Sequence, residues 1–234
     1  MIVRPGDGVL HLISQPDHAA LARRLMELWP SLGKAERRRD ILTAIEHHDR
    51  GWGEPDAALT VDPETGRIRD FMHVPAAVRQ GVWPVSVALL AAAPWAAALV
   101  AHHAITVYDR FRHEPDWREF FPAMTASRDE HLSRAGGDQK ALVRDYVYLR
   151  LGDLLSLAFC TAAADAQSLG PWTFRLDGAR LHVTPNPFAM DVSFAIEARE
   201  IPDVPYPDDA ALAAAIAAGR SRALDGVVAV DATH

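Results

Sequence analysis

The sequence predicts a mainly α-helical protein, a bundle carrying a small β-sheet built by the C-terminal region and an N-terminal hairpin. Three observations point there. Apolar residues recur at helical spacing through most of residues 14–168. The runs after Leu169 alternate between apolar and polar and are separated by Asp-Gly and Pro-Asn-Pro turns. Residues 2–13 alternate weakly around "PGDG". The expected organisation is a single domain over 1–234, with a helical core at 14–168. Residues 1–13 and 171–234 form a β-rich appendage with a terminal helix.

Each element has a local reason. "SQPD" reads as a helix start: Ser14 is an N-cap, Asp17 sits three residues on, and Pro16 is tolerated in the first turn. That helix runs to about Trp29, where Pro30 and Gly33 stop it. A second covers about Lys34 to Asp49. "RGWGEPDAALTVDPETGRIRDF" is rich in Gly, Pro and Asp and reads as a long surface loop, a kind that is usually functional or mobile. Helices fill roughly 75–112, 114–135 and 138–168. Within the first of these, Val82 to Ala101 carries no charge over about the twenty residues a membrane span needs. Pro84, Pro94 and the abundance of alanine make it two buried helical pieces with a break between them. "WTFRLDG", "ARLHVTP" and "VSFAIEARE" read as strands, and "DDAALAAAIAAGRSRAL" (Asp208–Leu224) as the last helix.

Composition narrows the partners. With 49% hydrophobic and 24% charged residues the chain has an ordinary globular make-up. A net charge of −7 argues against nucleic acid or an anionic membrane, since both call for a basic face. "ERRR" (Glu36–Arg39) lies beside Asp40 on an expected helix and reads as a solvated face. One cysteine, Cys160, rules out an intramolecular disulfide and fits a reducing cytoplasm. The N-terminus lacks the apolar core of an export signal.

Helical phase selects which polar residues turn inward. His18 continues the stripe of Leu21, Leu25 and Leu28. Ile41 and Ile45 lead to His48, and Leu42 and Ile45 to Asp49, whereas His47 falls to the periphery. His103 is slightly favoured over its neighbour His102. Leu142, Tyr146, Leu149, Asp153, Ser156 and Cys160 form one seam, so Asp153 sits among apolar residues beside Gly152. An unpaired carboxylate there would lose several kcal/mol to desolvation, so a cation, arginine, histidine or metal must compensate it. The glycine, which costs about 1 kcal/mol in a helix interior, implies close approach by another group. A single inward histidine is ordinarily a hydrogen-bonded core residue, and "HHD" by itself suits a helix C-terminus. Several helices each turning a His or Asp inward supply the ligand mix of Zn, Mn, Fe or Co.

The order His18, His48-Asp49, His103, Asp153 resembles the HD superfamily of metal-dependent phosphohydrolases, a helical bundle around one or two divalent metals. A likeness over nearly the whole chain is to a bacterial family known as a domain of unknown function. It is carried by "MIVRP", "QPDHAALA", "HHDRGW", "DPETGRIRDF", "LVAHHAITVY", "LGDLLSLAFC" and "TPNPF". The resemblance implies an HD-like bundle and a divalent Fe, Mn, Zn or Co held by His18, His48, Asp49 and Asp153, with His103 matching a histidine of the middle region. Binuclear HD proteins place two histidines there. The only later candidate is His131, in a polar stretch that reads as solvated surface, so the pattern for a second metal is incomplete.

The expected activity is hydrolysis of a phosphate ester or nucleotide-like small molecule by a metal-activated water. Asp49 and Asp56 are the catalytic candidates. Trp52, Glu54, Arg50 and Arg110 are the substrate-binding candidates, with Arg112 a further cation for an anionic substrate. Two other classes stay open: an HD-type di-iron oxygenase, and a non-catalytic module that binds a metal or small ligand. A homodimer is the assembly to test. No phosphate-binding glycine loop, dinucleotide fingerprint or serine nucleophile elbow is present.

Overall fold

The computed structural model describes residues 1–230. The last four residues of the expected appendage, 231–234, lie outside the described residues. The chain opens with a hairpin, β1 (Ile2–Pro5) and β2 (Val9–Ile13), followed by α1 (Gln15–Glu27). Ser14 caps α1 by accepting the Asp17 N–H at 3.0 Å. The second helix is shorter than its apolar pattern: α2 spans Arg38–His47, after a 3-10 turn at Leu32–Lys34.

The stretch expected to be a long loop is largely ordered against the core. It contains a 3-10 turn (Arg50–Trp52), a short helix α3 (Gly53–Ala57) and a bridge between Val61 and Ile68. Trp52 explains this, because burying its ring draws the surrounding backbone inward. Gly51 allows the approach: a Cβ there would lie 1.9 Å from the Val82 carbonyl oxygen.

The uncharged segment divides as expected into α4 (Ala76–Ala88) and α5 (Pro94–Val107), with Pro94 in the first turn of α5. Among the described residues no helix is long and apolar enough to cross a membrane. α5 is the central helix of the bundle. Its run of small residues, fully buried from Ala96 to Ala101, lets α2, α4, α6 (Phe120–Arg134) and α7 (Gln139–Cys160) pack against it.

The largest differences from the expected boundaries lie toward the C-terminus. α7 stops at Cys160, eight residues early, because Ala162 turns left-handed at φ 54° and β3 (Gln167–Leu169) begins the sheet. The helix expected to reach Leu224 stops at Ala218: α8 spans Asp209–Ala218, and Arg220–Ala229 is a strand, β7. β7 pairs antiparallel with β6 (Val192–Pro202) from Arg220 opposite Glu200 to Val228 opposite Val192. It also pairs in parallel with β5 (Arg180–Thr184), beside β4 (Trp172–Asp177). Gly219 permits the switch, since a Cβ there would come within 2.7 Å of the Glu200 carbonyl oxygen.

The sheet therefore has seven strands among the described residues, in the order β1-β2-β6-β7-β5-β4-β3. It is larger than a small appendage, and β7 lies at its middle. The main hydrophobic core is continuous between the bundle and the sheet, where Phe174, Leu181, Val183 and Phe194 pack with bundle residues. A second core beneath β2 holds Leu10, Ile201 and Leu212. The architecture is α plus β, with helices about half of the chain.

Candidate metal centre

Four separate elements deliver polar groups to one point inside the bundle. α1 supplies His18, the end of α2 supplies His48 and Asp49, α5 supplies His103, and α7 supplies Asp153. All five are buried, His18 and His48 completely. The helical regularity of α2 ends at His47, and Asp49 adopts φ −104°, ψ 16°. That break turns two adjacent side chains toward the same interior point. Gly152 lets α1 come close, since a Cβ there would lie 2.8 Å from Met26 Cγ and 3.5 Å from the Ala22 carbonyl oxygen.

His18 Nε2 lies 3.3 Å from Asp153 Oδ1 and 3.6 Å from Asp49 Oδ2. His48 Nε2 lies 3.4 Å from Asp49 Oδ2 and 3.7 Å from Asp153 Oδ1. His103 Nε2 is 3.8 Å from Asp153 Oδ2. The imidazole rings meet edge to face, with centroids 5.4 Å apart for His18 and His48 and 5.2 Å for His48 and His103. Two ligands about 2.1 Å from a shared ion stand roughly 3.0–3.4 Å apart at octahedral or tetrahedral angles. The spacings observed are near that range and longer than good hydrogen bonds. The Nε2 atoms of His18 and His48 are buried without a hydrogen-bond partner. Two groups, His18 with His48 and Asp49, and His48 with His103 and Asp153, could each hold a metal ion.

The opposite ring nitrogens are anchored. His48 Nδ1 donates to the Ile45 carbonyl at 2.7 Å. The Ser156 hydroxyl donates to the His18 carbonyl at 2.8 Å, so its oxygen accepts from His18 Nδ1 at 2.7 Å. His103 Nδ1 sits 3.1 Å from the Tyr146 hydroxyl. The carbonyl at His48 and the committed hydroxyl at His18 place those Nδ1 protons outward from the centre and turn Nε2 inward, the arrangement a ligating histidine requires.

Few cations touch the two carboxylates directly. Arg150 donates to Asp153 Oδ2 at 2.6 Å and is the one guanidinium that meets either carboxylate among the described residues. For His48, burial disfavours the charged form, but Asp49 and Asp153 outweigh it and raise its pKa to about 10. Burial would raise both acids, yet the facing histidines bring Asp49 below its ordinary value and Asp153 well below it. Burial lowers His103 to about 3 despite Asp153. The metal-free centre is thus two carboxylates, one arginine and a proton held on His48.

A family model described as a protein of unknown function (DUF3891) matches residues 1–203. The chain belongs to the DUF3891 family. No curated protein and no solved structure matches it. The matched span of this DUF3891 chain contains all five residues of the centre.

A cavity of about 160 Å³ adjoins the centre, lined by Asp49, His103 and Asp153 on one side and by Trp52, Trp83 and Tyr108 among others. Of the substrate candidates, Trp52 and Arg110 line it. Arg50 and Glu54 are exposed and do not. Asp56, expected as a catalytic acid on a surface loop, is buried: it accepts the Gln15 N–H at 2.6 Å and the Met1 amino group, so its oxygens serve the packing of α3. Arg112 is engaged with Asp109 at 2.8 Å. His131 is buried beside Arg134 rather than solvated, and belongs to neither ligand group.

Sequence reasoning missed Arg79, Trp83, Tyr108 and Arg150, which line the cavity of this DUF3891 chain. Arg150 stands three residues before Asp153, a spacing that pairs side chains on one helix face. It placed Tyr146 and Ser156 inward without seeing that they hold histidines.

Proposed function

We propose that the chain is a metal-dependent hydrolase of the HD type, acting on a small phosphate ester. The observation that carries this reading is the convergence of imidazole Nε2 atoms and carboxylates on one point, with Nε2 of His18 and His48 unpartnered and a cavity alongside. The nitrogen and oxygen donor set suits Zn, Mn, Fe or Co. His18, His48, Asp49 and Asp153 would hold the ion, with His103 beside them.

Such an ion supplies a water of near-neutral pKa and polarises a phosphoryl oxygen. The chain does the rest. Ionised Asp49, at the cavity wall, accepts a hydrogen bond from the attacking water and orients it. Ser156 and the Ile45 carbonyl keep His18 and His48 in one tautomer, and Tyr146 orients the His103 ring. Arg150 holds the second oxygen of Asp153 and lends positive charge to an approaching anion. Trp52, Trp83 and Tyr108 exclude bulk water, which strengthens every charge interaction inside.

The test is elemental analysis of protein purified without a histidine tag, followed by a panel of phosphate esters and nucleotides. About one equivalent of metal and turnover of a phosphate ester are expected, both lost in His48→Ala and Asp153→Ala. Full metal occupancy in either variant overturns the assignment. Metal without turnover leaves a binding module, and two irons per chain would favour oxygenase chemistry.

A further inference from the structure

The cavity holds more positive charge than its own acids can balance. Arg79, Arg110 and Arg150 line it, facing Asp49 and Asp153. Arg150 is committed to Asp153, whereas Arg79 and Arg110 have no carboxylate partner among the described residues. Both instead rest on one ring: their guanidinium carbons lie 5.1 and 4.6 Å from the centre of Phe111. Arg79 also lies 5.6 Å from the Trp117 ring, and its buried Nε has no hydrogen-bond partner. Aromatic support of this kind holds a guanidinium in place while leaving its N–H fork free for an anion.

The remaining walls are mostly apolar, and the space is small. A cavity near 150 Å³ is about the size that accepts benzene, whereas sites for larger organic ligands run roughly 300–1,000 Å³. At about 160 Å³ this one has room for a single ring and not for a base, sugar and phosphate together. Trp52 and Trp83 are almost fully buried and form the inner wall, while the exposed Arg110 stands where the space opens to solvent.

We propose that the cavity takes a compact organic anion, no larger than one ring bearing one acidic group. Arg79 and Arg110 hold the anion, and the ring lies against Trp52, Trp83 and Tyr108. A whole nucleotide does not fit within the space. This names the substrate class of the centre described above and rests on that reading only for where reaction occurs.

Phenyl phosphate, inorganic phosphate and adenosine monophosphate serve as probes, titrated by calorimetry into metal-loaded and metal-free protein with metal content measured on each sample. Phenyl phosphate is expected to bind at least tenfold more tightly than adenosine monophosphate. Arg79→Gln with Arg110→Gln is expected to weaken it at least tenfold at unchanged metal content, and Arg79→Lys with Arg110→Lys to restore part of the loss. Should the glutamine pair fail to fold, each single variant is read in its place.

The proposal is overturned if the nucleotide binds as tightly as phenyl phosphate, if neither binds, or if folded arginine variants bind like the parent. A chain that takes up no metal yet binds phenyl phosphate through the arginines removes the metal reading and keeps this one.

Discussion

Two regions of the molecule cover carboxylates, and they do it differently. On the sheet, Glu200 accepts from Arg220 Nε and Nη2 at 2.8 and 2.6 Å, with Arg222 at 3.7 Å and His11 at 3.4 Å. Its charge is answered by neighbours within the strands. In the bundle, Asp153 has one arginine and Asp49 none, and both face imidazoles at 3.3–3.8 Å without a good hydrogen bond. A self-paired acid serves the fold and needs nothing further. An acid pair that faces buried imidazole nitrogens lacking hydrogen-bond partners leaves donor atoms unused, and these could hold a metal ion.

The largest expected effect breaks the comparison outright. Asp153→Asn removes one charge from the centre at nearly constant shape, and elemental analysis should find the metal gone. Glu200→Gln removes a charge of similar burial from the sheet and should leave the metal content unchanged. Equal metal content in the two variants would mean the bundle acids are as self-sufficient as Glu200.

These residues were legible to different degrees, for physical reasons. Periodicity of 3.6 residues reports which side of a helix faces the core, so His48, Asp49 and Asp153 could be read as inward, and His47 as outward. Where helices stop is settled by partners far away in sequence. "RSRAL" continues an alanine-rich helix in composition, but β6, about twenty residues earlier, offers it a full ladder, and it becomes strand. Asp56 and Trp52 looked like loop residues because local composition says nothing about a core waiting to be covered. Arg79 was invisible because an arginine on a helix reads as solvent-facing unless the wall opposite is known.

The second effect concerns pH. The metal-free centre holds a proton on His48, whose pKa is about 10. Metal binding needs that Nε2 free and so expels the proton. Apparent affinity should rise about tenfold per pH unit between pH 6 and 8, measured by competition with a chelator. Stability of the metal-free chain should move the other way. A pKa raised from 6.5 to about 10 contributes stability that is complete below 6.5 and disappears as pH rises through 10. Thermal melts of the metal-free protein should therefore fall across that window, while metal-loaded protein stays level there. A metal affinity independent of pH would show that no proton occupies the centre.

A smaller effect separates a hydroxyl that serves the centre from one that serves the sheet. Ser156→Ala deprives His18 Nδ1 of its acceptor, and loss of such a partner typically lowers metal affinity about 10–100-fold. Ser221 donates to Glu197 at 2.5 Å on the exposed side of the sheet. Ser221→Ala should leave metal affinity unmoved. Equal affinity in both variants would mean that His18 keeps its orientation from packing alone.

The smallest effect tests spacing. Gly152→Ala should gain about 1 kcal/mol of helix propensity in α7. Against this, its Cβ would sit 2.8 Å from Met26 Cγ, and filling a packed interface costs roughly 1–3 kcal/mol. Methionine is adaptable, so much of the strain can be relieved by Met26 changing rotamer. The net change in stability should be about 1 kcal/mol or less, a shift of a few degrees in a thermal melt. Metal affinity should respond more, because the contact that Gly152 permits sets the distance from α1 to α7 and hence from His18 to Asp153. A variant with unchanged metal affinity and a lowered melting temperature would mean that the glycine serves packing only, and that the separation of the ligands is held from elsewhere.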